Sequence, residues 1–136
     1  MNMNIKYIKD NYYFETLSHE HDLSNFVCDS NDLTDFLKND ALTQQQNKLN
    51  ITKLILCDGE IIGYVSLLTD TLVLKNIREN RIKNEIKNQL NISNRKRLLP
   101  AVKIGRFAIN KKYSNKGLGS HILANIIYNI KFPNRM

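Results

Sequence analysis

The stretch "ITKLILCDGEIIGYVSLLTD", residues 51–70, leaves the chain little freedom. Two apolar, β-branched runs flank Asp58-Gly59, a favoured pair for the two-residue type I′ turn. The pattern predicts strands over Ile51–Cys57 and Glu60–Thr69, joined as an antiparallel hairpin. Gly63, inside the second run, predicts a bulge or a close approach by a neighbouring backbone.

A second stretch, "VKIGRFAINKKYSNKGLGSHILANIIYNI", changes period half-way. After Pro100, the residues Val102, Ile104, Phe107, Ala108 and Ile109 place apolar side chains on both faces of a strand, the pattern of a central strand. Leu118, Ile122, Leu123, Ile126, Ile127 and Ile130 instead follow one face of a helix, with Asn125, Asn129 and Lys131 off that face. Between them stands Gly117-Leu118-Gly119. A helix N-terminus carries unpaired N–H groups and about half a positive charge of dipole. Glycines there let a backbone approach an anion, and Lys111, Lys112 and Lys116 add charge. Gly-x-Gly is equally compatible with a plain helix-start turn. It is neither a Walker A loop, which needs Gly-Lys-Ser/Thr, nor a Rossmann fingerprint, since Ile122 takes the third glycine's place.

The rest of the chain is read more coarsely. Residues 11–18 predict a first strand, with pairing in sequence order along the sheet. Leu33, Phe36, Leu37 and Leu42 predict a helix entered near Asn31 or Asp32, with a shorter one over Leu23–Val27. His19-Glu20-His21 reads as a solvated loop rather than a metal cluster, and no metal is expected. Residues 71–100 carry eight Lys/Arg against Glu79 and Glu85. This is a solvated charged face or an electrostatic footprint for RNA, without aromatic interleaving for base stacking.

At 136 residues the chain is expected to form one domain, residues 1–136. Its net charge of +7 suits an acidic partner, nucleic acid or a phosphate-rich cofactor, or reflects a Lys- and Asn-heavy composition. No apolar run suggests a signal peptide or a membrane span, so no membrane partner is expected. Cys28 and Cys57 have no metal-ligand spacing and read as reduced thiols of a cytoplasmic protein.

Taken together, "ILCDGEIIGYVSLLTD" and "LPAVKIGRFAINKKYSNKGLGSHIL" resemble the second to fourth strands, pyrophosphate loop and third helix of the GCN5-related N-acetyltransferase (GNAT) family. "NDLTDFLKNDALTQQQ" resembles a bacterial and archaeal subgroup that includes the toxins of toxin–antitoxin pairs. The resemblance implies an α/β (α+β) fold with a mixed, mostly antiparallel sheet flanked by helices. It implies transfer of an acetyl group from acetyl-CoA to an amine: aminoacyl-tRNA, a small amine or a peptide N-terminus. Main-chain groups of Phe107, Ala108 and Ile109 would hold the pantetheine arm. Ser114, Asn115, Lys116, Gly117, Leu118, Gly119 and Ser120 would hold the diphosphate. The family loop usually opens with Gln or Arg, and Ser114 stands there, which implies weaker cofactor binding partly offset by Lys116.

Arg106, in a strand expected to be central, is either a structural partner of an early acid such as Glu15 or Asp35, or a substrate contact in the acceptor cleft. Family members continue past the third helix, whereas this sequence stops at "KFPNRM". The expectation is therefore a domain lacking its C-terminal third, with no assignable general acid or base and little turnover. The alternative is an acetyl-CoA-binding module without turnover. An exposed edge on the fourth strand would favour pairing with a second copy, as a homodimer.

Overall fold

The computed structural model describes residues 2–73 and 98–131. Most of the basic stretch, including Arg95, Lys96 and Arg97, lies outside the described residues. Two compact units are present: Met1–Leu68 with Ile104–Met136, and Thr69–Lys103. The second unit carries the outer ends of two long strands, and all packing described below belongs to the first.

The hairpin forms as its turn chemistry demands. Strands β2 (Ile51–Cys57) and β3 (Glu60–Val73) are antiparallel, and Asp58 and Gly59 adopt φ of 50° and 81°. β1 (Tyr13–Thr16) pairs with the outer side of β2, and β4 (Leu98–Ile109) completes a four-stranded sheet in the order β1-β2-β3-β4. Sequence order along the sheet is as expected. Gly63 meets both of its expectations. The register shifts between Ile55 and Leu56, leaving Ile62 as an extra residue, and a Cβ on Gly63 would lie 2.3 Å from the Ala108 carbonyl oxygen. Only a glycine lets β3 and β4 approach at this point.

Alternation along the strands divides the core. Leu54, Leu56 and Tyr64 face one side, packed with Leu17, Phe26, Cys28, Phe36, Leu37 and Ala41. Ile55, Cys57 and Val65 face the other, packed with Ile8, Tyr113, Leu118, Ile122 and Ile126. Helices therefore cover both faces, as a strand apolar on both sides requires.

The first face is covered by one helical run in three pieces: α2 (Asn31–Asp35), a π-helical turn (Phe36–Asp40) and α3 (Ala41–Gln46). Ser30 is the N-cap, accepting from the Leu33 N–H at 3.2 Å. In the π turn the Ala41 N–H donates to the Phe36 carbonyl, which stacks Ala41 above Phe36 so that both face the sheet. At the end of α3, Gln45 reaches into the sheet. Its Nε2 donates to the Leu17 carbonyl at 2.7 Å and its Oε1 accepts from the Thr52 N–H at 2.9 Å.

The second face is covered by α1 (Ile5–Asn11) and α4 (Leu118–Lys131). The sequence reading missed α1 and assigned Asn11 to the first strand. The helix is capped by Asn4, whose side chain accepts from Lys6 N–H at 2.8 Å, and it buries Ile8 alone. Its apolar stripe is short: Ile5 and Tyr12 pack half-buried against the same cluster as Ile8, and this i, i+3, i+7 spacing is the signal that was passed over. Asn125 is not simply solvated: its amide donates to the Tyr12 hydroxyl and ties α4 to the end of α1. The short helix expected over Leu23–Val27 does not form. Asp22 accepts from both the N–H and the hydroxyl of Ser24, at 3.0 and 2.7 Å, a side-chain turn that competes with helix.

The two glycines of the hairpin separate two kinds of strain. Gly59→Ala meets open space but positive φ, and should cost about 1–2 kcal/mol. Gly63→Ala meets backbone and should cost about 2–3 kcal/mol. Urea unfolding of both variants should give that order; the reverse order would contradict the close β3–β4 approach.

Candidate functional site

The site is built where β4 ends. Asn110, 5% exposed, stops the strand with three hydrogen bonds. Its N–H donates to the Ile62 carbonyl at 2.6 Å, its Nδ2 to the Ile61 carbonyl at 3.0 Å, and its Oδ1 accepts from the Lys112 N–H at 3.0 Å. The chain then makes a 3-10 turn, Lys111–Tyr113, and the Lys111 N–H donates to the Val27 carbonyl at 2.8 Å.

Glu60, the first residue of β3, holds this turn from below. One carboxylate oxygen accepts from Lys112 Nζ at 2.6 Å, and the other accepts from the hydroxyl of buried Tyr113. The Tyr113 oxygen also accepts from the Met3 N–H at 3.3 Å. Burial alone would raise the Glu60 pKa, but the hydrogen bonds from Lys112 and Tyr113 outweigh it, and the net shift is downward. Burial raises the pKa of Tyr113, and its bond to Glu60 adds to this.

Past half-buried Ser114 the chain is exposed over Asn115, Lys116 and Gly117 until Leu118. Asn115 and Gly117 take φ of 61° and 81°. Leu118, 1% exposed, returns the chain to the core and opens α4. The His121 N–H donates to the Gly117 carbonyl at 3.3 Å, so the N–H groups of Leu118, Gly119 and Ser120 precede the first helical bond. The two glycines differ. Gly117 supplies a left-handed turn in open space. At Gly119 a Cβ would lie 3.4 Å from Ile109 and 3.7 Å from Phe107, ordinary contacts. Neither a positive φ nor a close approach therefore requires a glycine at 119.

The structure brings the candidate residues together unevenly. Phe107 and Ile109 pack toward α4, while Ala108 faces the opposite core. Ala108, Ile109 and Ser114 also line a cavity of about 230 Å³ with Cys28, Asp29, Ser30 and Leu33. The residues before α2 were not singled out from the sequence; the Ser30 cap was their one local signal. Ser114 spends its proton locally, donating to the Lys111 carbonyl at 3.1 Å. The three lysines near the loop are all exposed, and Lys112 is committed to Glu60.

Arg106 does not pair with Glu15. The Glu15 carboxylate meets His21 Nε2 at 2.9 Å, and the Ser18 N–H donates to His21 Nδ1. The Arg106 guanidinium lies 3.8 Å over the ring of Phe36. Phe36 stacks in turn on Tyr64, whose hydroxyl donates to the Leu33 carbonyl at 2.6 Å. A weakly hydrated, planar cation on an aromatic face tolerates partial burial. Among the described residues no group of three or more His, Cys, Asp or Glu is placed to hold a metal.

No family model matches the sequence, and no curated protein matches it. Solved structures do. A KacT variant superposes with a TM-score of 0.63 at 18% identity, over 92% of this chain and 72% of KacT. The AtaTR assembly bound to acetyl-CoA gives 0.64 at 20% identity, over 89% and 69%. AtaT complexed with acetyl-methionyl-tRNAfMet gives 0.61 at 20% identity, over 88% and 70%. KacT and AtaT have the GNAT fold, and the chain shares it. The α+β architecture implied by the sequence resemblance is the one observed.

Because Glu60 is held below the usual carboxylate range, its stabilising contribution is present above the unfolded glutamate pKa and is lost as pH falls through the lower folded value. Urea midpoints of wild type and Glu60→Gln should differ at neutral pH and converge only under acid conditions below that ordinary range. A difference already gone at the ordinary glutamate pKa would contradict the Lys112 and Tyr113 contacts.

Proposed function

We propose that this chain binds acetyl-CoA along the end of β4 and the start of α4, and is an N-acetyltransferase acting as one domain. One observation carries the reading. A left-handed, glycine-bearing loop, fixed at both ends by burial, opens on the N-terminus of a 14-residue helix. Such a nest of N–H groups suits a diphosphate. In that role the loop Ser114–Ser120 holds the diphosphate, with Lys111 and Lys116 supplying charge. The backbone of Phe107–Ile109 lines the pantetheine arm beside the cavity at Ala108. The AtaTR structure with acetyl-CoA supports the choice of co-substrate.

The reaction joins a neutral amine to the thioester carbonyl, passes through a tetrahedral oxyanion and expels the CoA thiolate. The amine gives up a proton and the thiolate takes one. Main-chain N–H groups on β4 suit the oxyanion. Arg106, held over the ring of Phe36 two residues before Ala108, is proposed to contact the acceptor.

For the acceptor we favour aminoacyl-tRNA, on the net charge of +7 and on the acetyl-methionyl-tRNA in the AtaT complex. A cytoplasmic toxin paired with an antitoxin, and self-association as a homodimer, belong to the same reading. AtaT has been captured with the antitoxin AtaR.

Calorimetry with acetyl-CoA tests the co-substrate. Wild type should bind, and Gly119→Glu should lose at least about tenfold in affinity, because a carboxylate would oppose the diphosphate beside seated backbone. Unchanged affinity would refute the placement. Filter binding of tRNA at graded salt tests the acceptor. Neutralising Arg95, Lys96 and Arg97 together should flatten the salt slope by about 2–3, and an unchanged slope would count against nucleic acid. A free-thiol release assay with a panel of amines decides between turnover and binding alone.

A further inference from the structure

Glu60 lies at the start of β3, more than fifty residues before the loop in sequence, and no part of the sequence reading gives it a role. Its two carboxylate oxygens take donors from two consecutive residues, Lys112 and Tyr113. These are the last residues before the loop begins at Ser114. Tyr113 and Leu118 bracket that loop, and both rest in the same core cluster, each 1% exposed. The loop is thus a short exposed arch on two buried feet.

The foot at Leu118 is held by apolar packing alone. The foot at Tyr113 buries a hydroxyl that requires an acceptor, and Glu60 is that acceptor. The same carboxylate draws Lys112 down to β3 and so away from the mouth of the loop.

From this geometry we infer that Glu60 is a positioning residue for diphosphate binding: it seats Tyr113 and Lys112 so that the N–H groups after Gly117 converge on one anion. The inference rests on the acetyl-CoA reading above. Glu60 touches no cofactor atom and acts through the arch. With Glu60 replaced by Ala, the Tyr113 hydroxyl loses its buried acceptor and shifts toward solvent, carrying Ser114 and the arch with it. With Glu60 replaced by Gln, an acceptor for Tyr113 remains and the ion pair with Lys112 is lost.

The test uses the whole chain and coenzyme A as the probe. Isothermal titration gives its Kd for wild type, Glu60→Ala, Glu60→Gln and Tyr113→Phe, at a temperature where each is folded. Amide NMR follows the Gly117 and Gly119 resonances. Glu60→Ala should weaken coenzyme A binding about tenfold or more, the effect expected when a buried donor loses its partner. Glu60→Gln should fall between Ala and wild type. Tyr113→Phe should weaken binding less than Glu60→Ala, because it removes the donor as well as the bond. In Glu60→Ala the Gly117 and Gly119 amides should shift even without ligand.

A merely structural Glu60 gives another pattern: a lower melting temperature, with wild-type Kd in the folded protein and unmoved glycine amides. That result overturns the inference and leaves the acetyl-CoA reading standing. Failure of the wild-type chain to bind coenzyme A overturns both. Should Glu60→Ala not fold, Glu60→Gln and Tyr113→Phe carry the test, and wild-type affinity in both overturns the inference.

Discussion

Asn110 decides where a strand stops being a strand. Its backbone N–H continues the pairing with β3 at Ile62, and its side chain then takes over from the ladder. The amide Nδ2 satisfies the Ile61 carbonyl, while Oδ1 receives the Lys112 N–H that no longer has a strand to meet. Every polar group of the side chain is engaged in a nearly buried position, where a lost partner costs about 1–3 kcal/mol. The 3-10 turn, the arch and the angle at which α4 leaves the sheet all inherit their starting point from this residue. An aspartate there could accept from Lys112 but could not donate to Ile61.

The legible parts of the chain were those whose information is local. Asp58-Gly59 names its own turn, since both residues must take positive φ, and both do. The run from Ile104 to Ile109 does feed both core clusters, but β4 ends the described sheet as an edge strand instead of the central strand its pattern suggested, and Val102 is exposed. The step from strand period to helix period at Gly117-Leu118-Gly119 located α4. What escaped is non-local or one-sided. α1 has only a short apolar stripe. The Glu60 contacts join residues 52 and 53 positions apart through side chains, and leave no trace in any window. The 28–30 segment, beside the cavity at Ala108, is irregular backbone without period.

Arg106 shows how a charge can be accommodated in a half-buried setting without a carboxylate partner among the described residues. Sequence reasoning offered Glu15 or Asp35 because ion pairs are the familiar solution, and neither pairs with Arg106. The structure uses a stack instead, Arg106 on Phe36 on Tyr64, with the Tyr64 hydroxyl anchored on the Leu33 carbonyl. Burial moves the Tyr64 pKa upward, and the nearby cation only partly offsets this, so the phenol stays protonated and the anchor holds. A guanidinium seated on a ring keeps its N–H edges directed outward, in the plane where it donates best.

Gln45 has a consequence for errors of assembly. Its side-chain amide mimics one peptide unit of a strand, receiving the Thr52 N–H and donating to the Leu17 carbonyl. Along β2, successive N–H groups point alternately toward β1 and toward β3. Were β2 to slip by one residue, Gln45 would confront a peptide whose N–H points the wrong way, and both its bonds would vanish together. The amide is in effect a proofreading tooth: it engages only when the count along β2 is even. A strand pair only four residues long has few contacts of its own with which to enforce alignment. Here the check is made from outside the sheet, by a helix that must already be in place to make it.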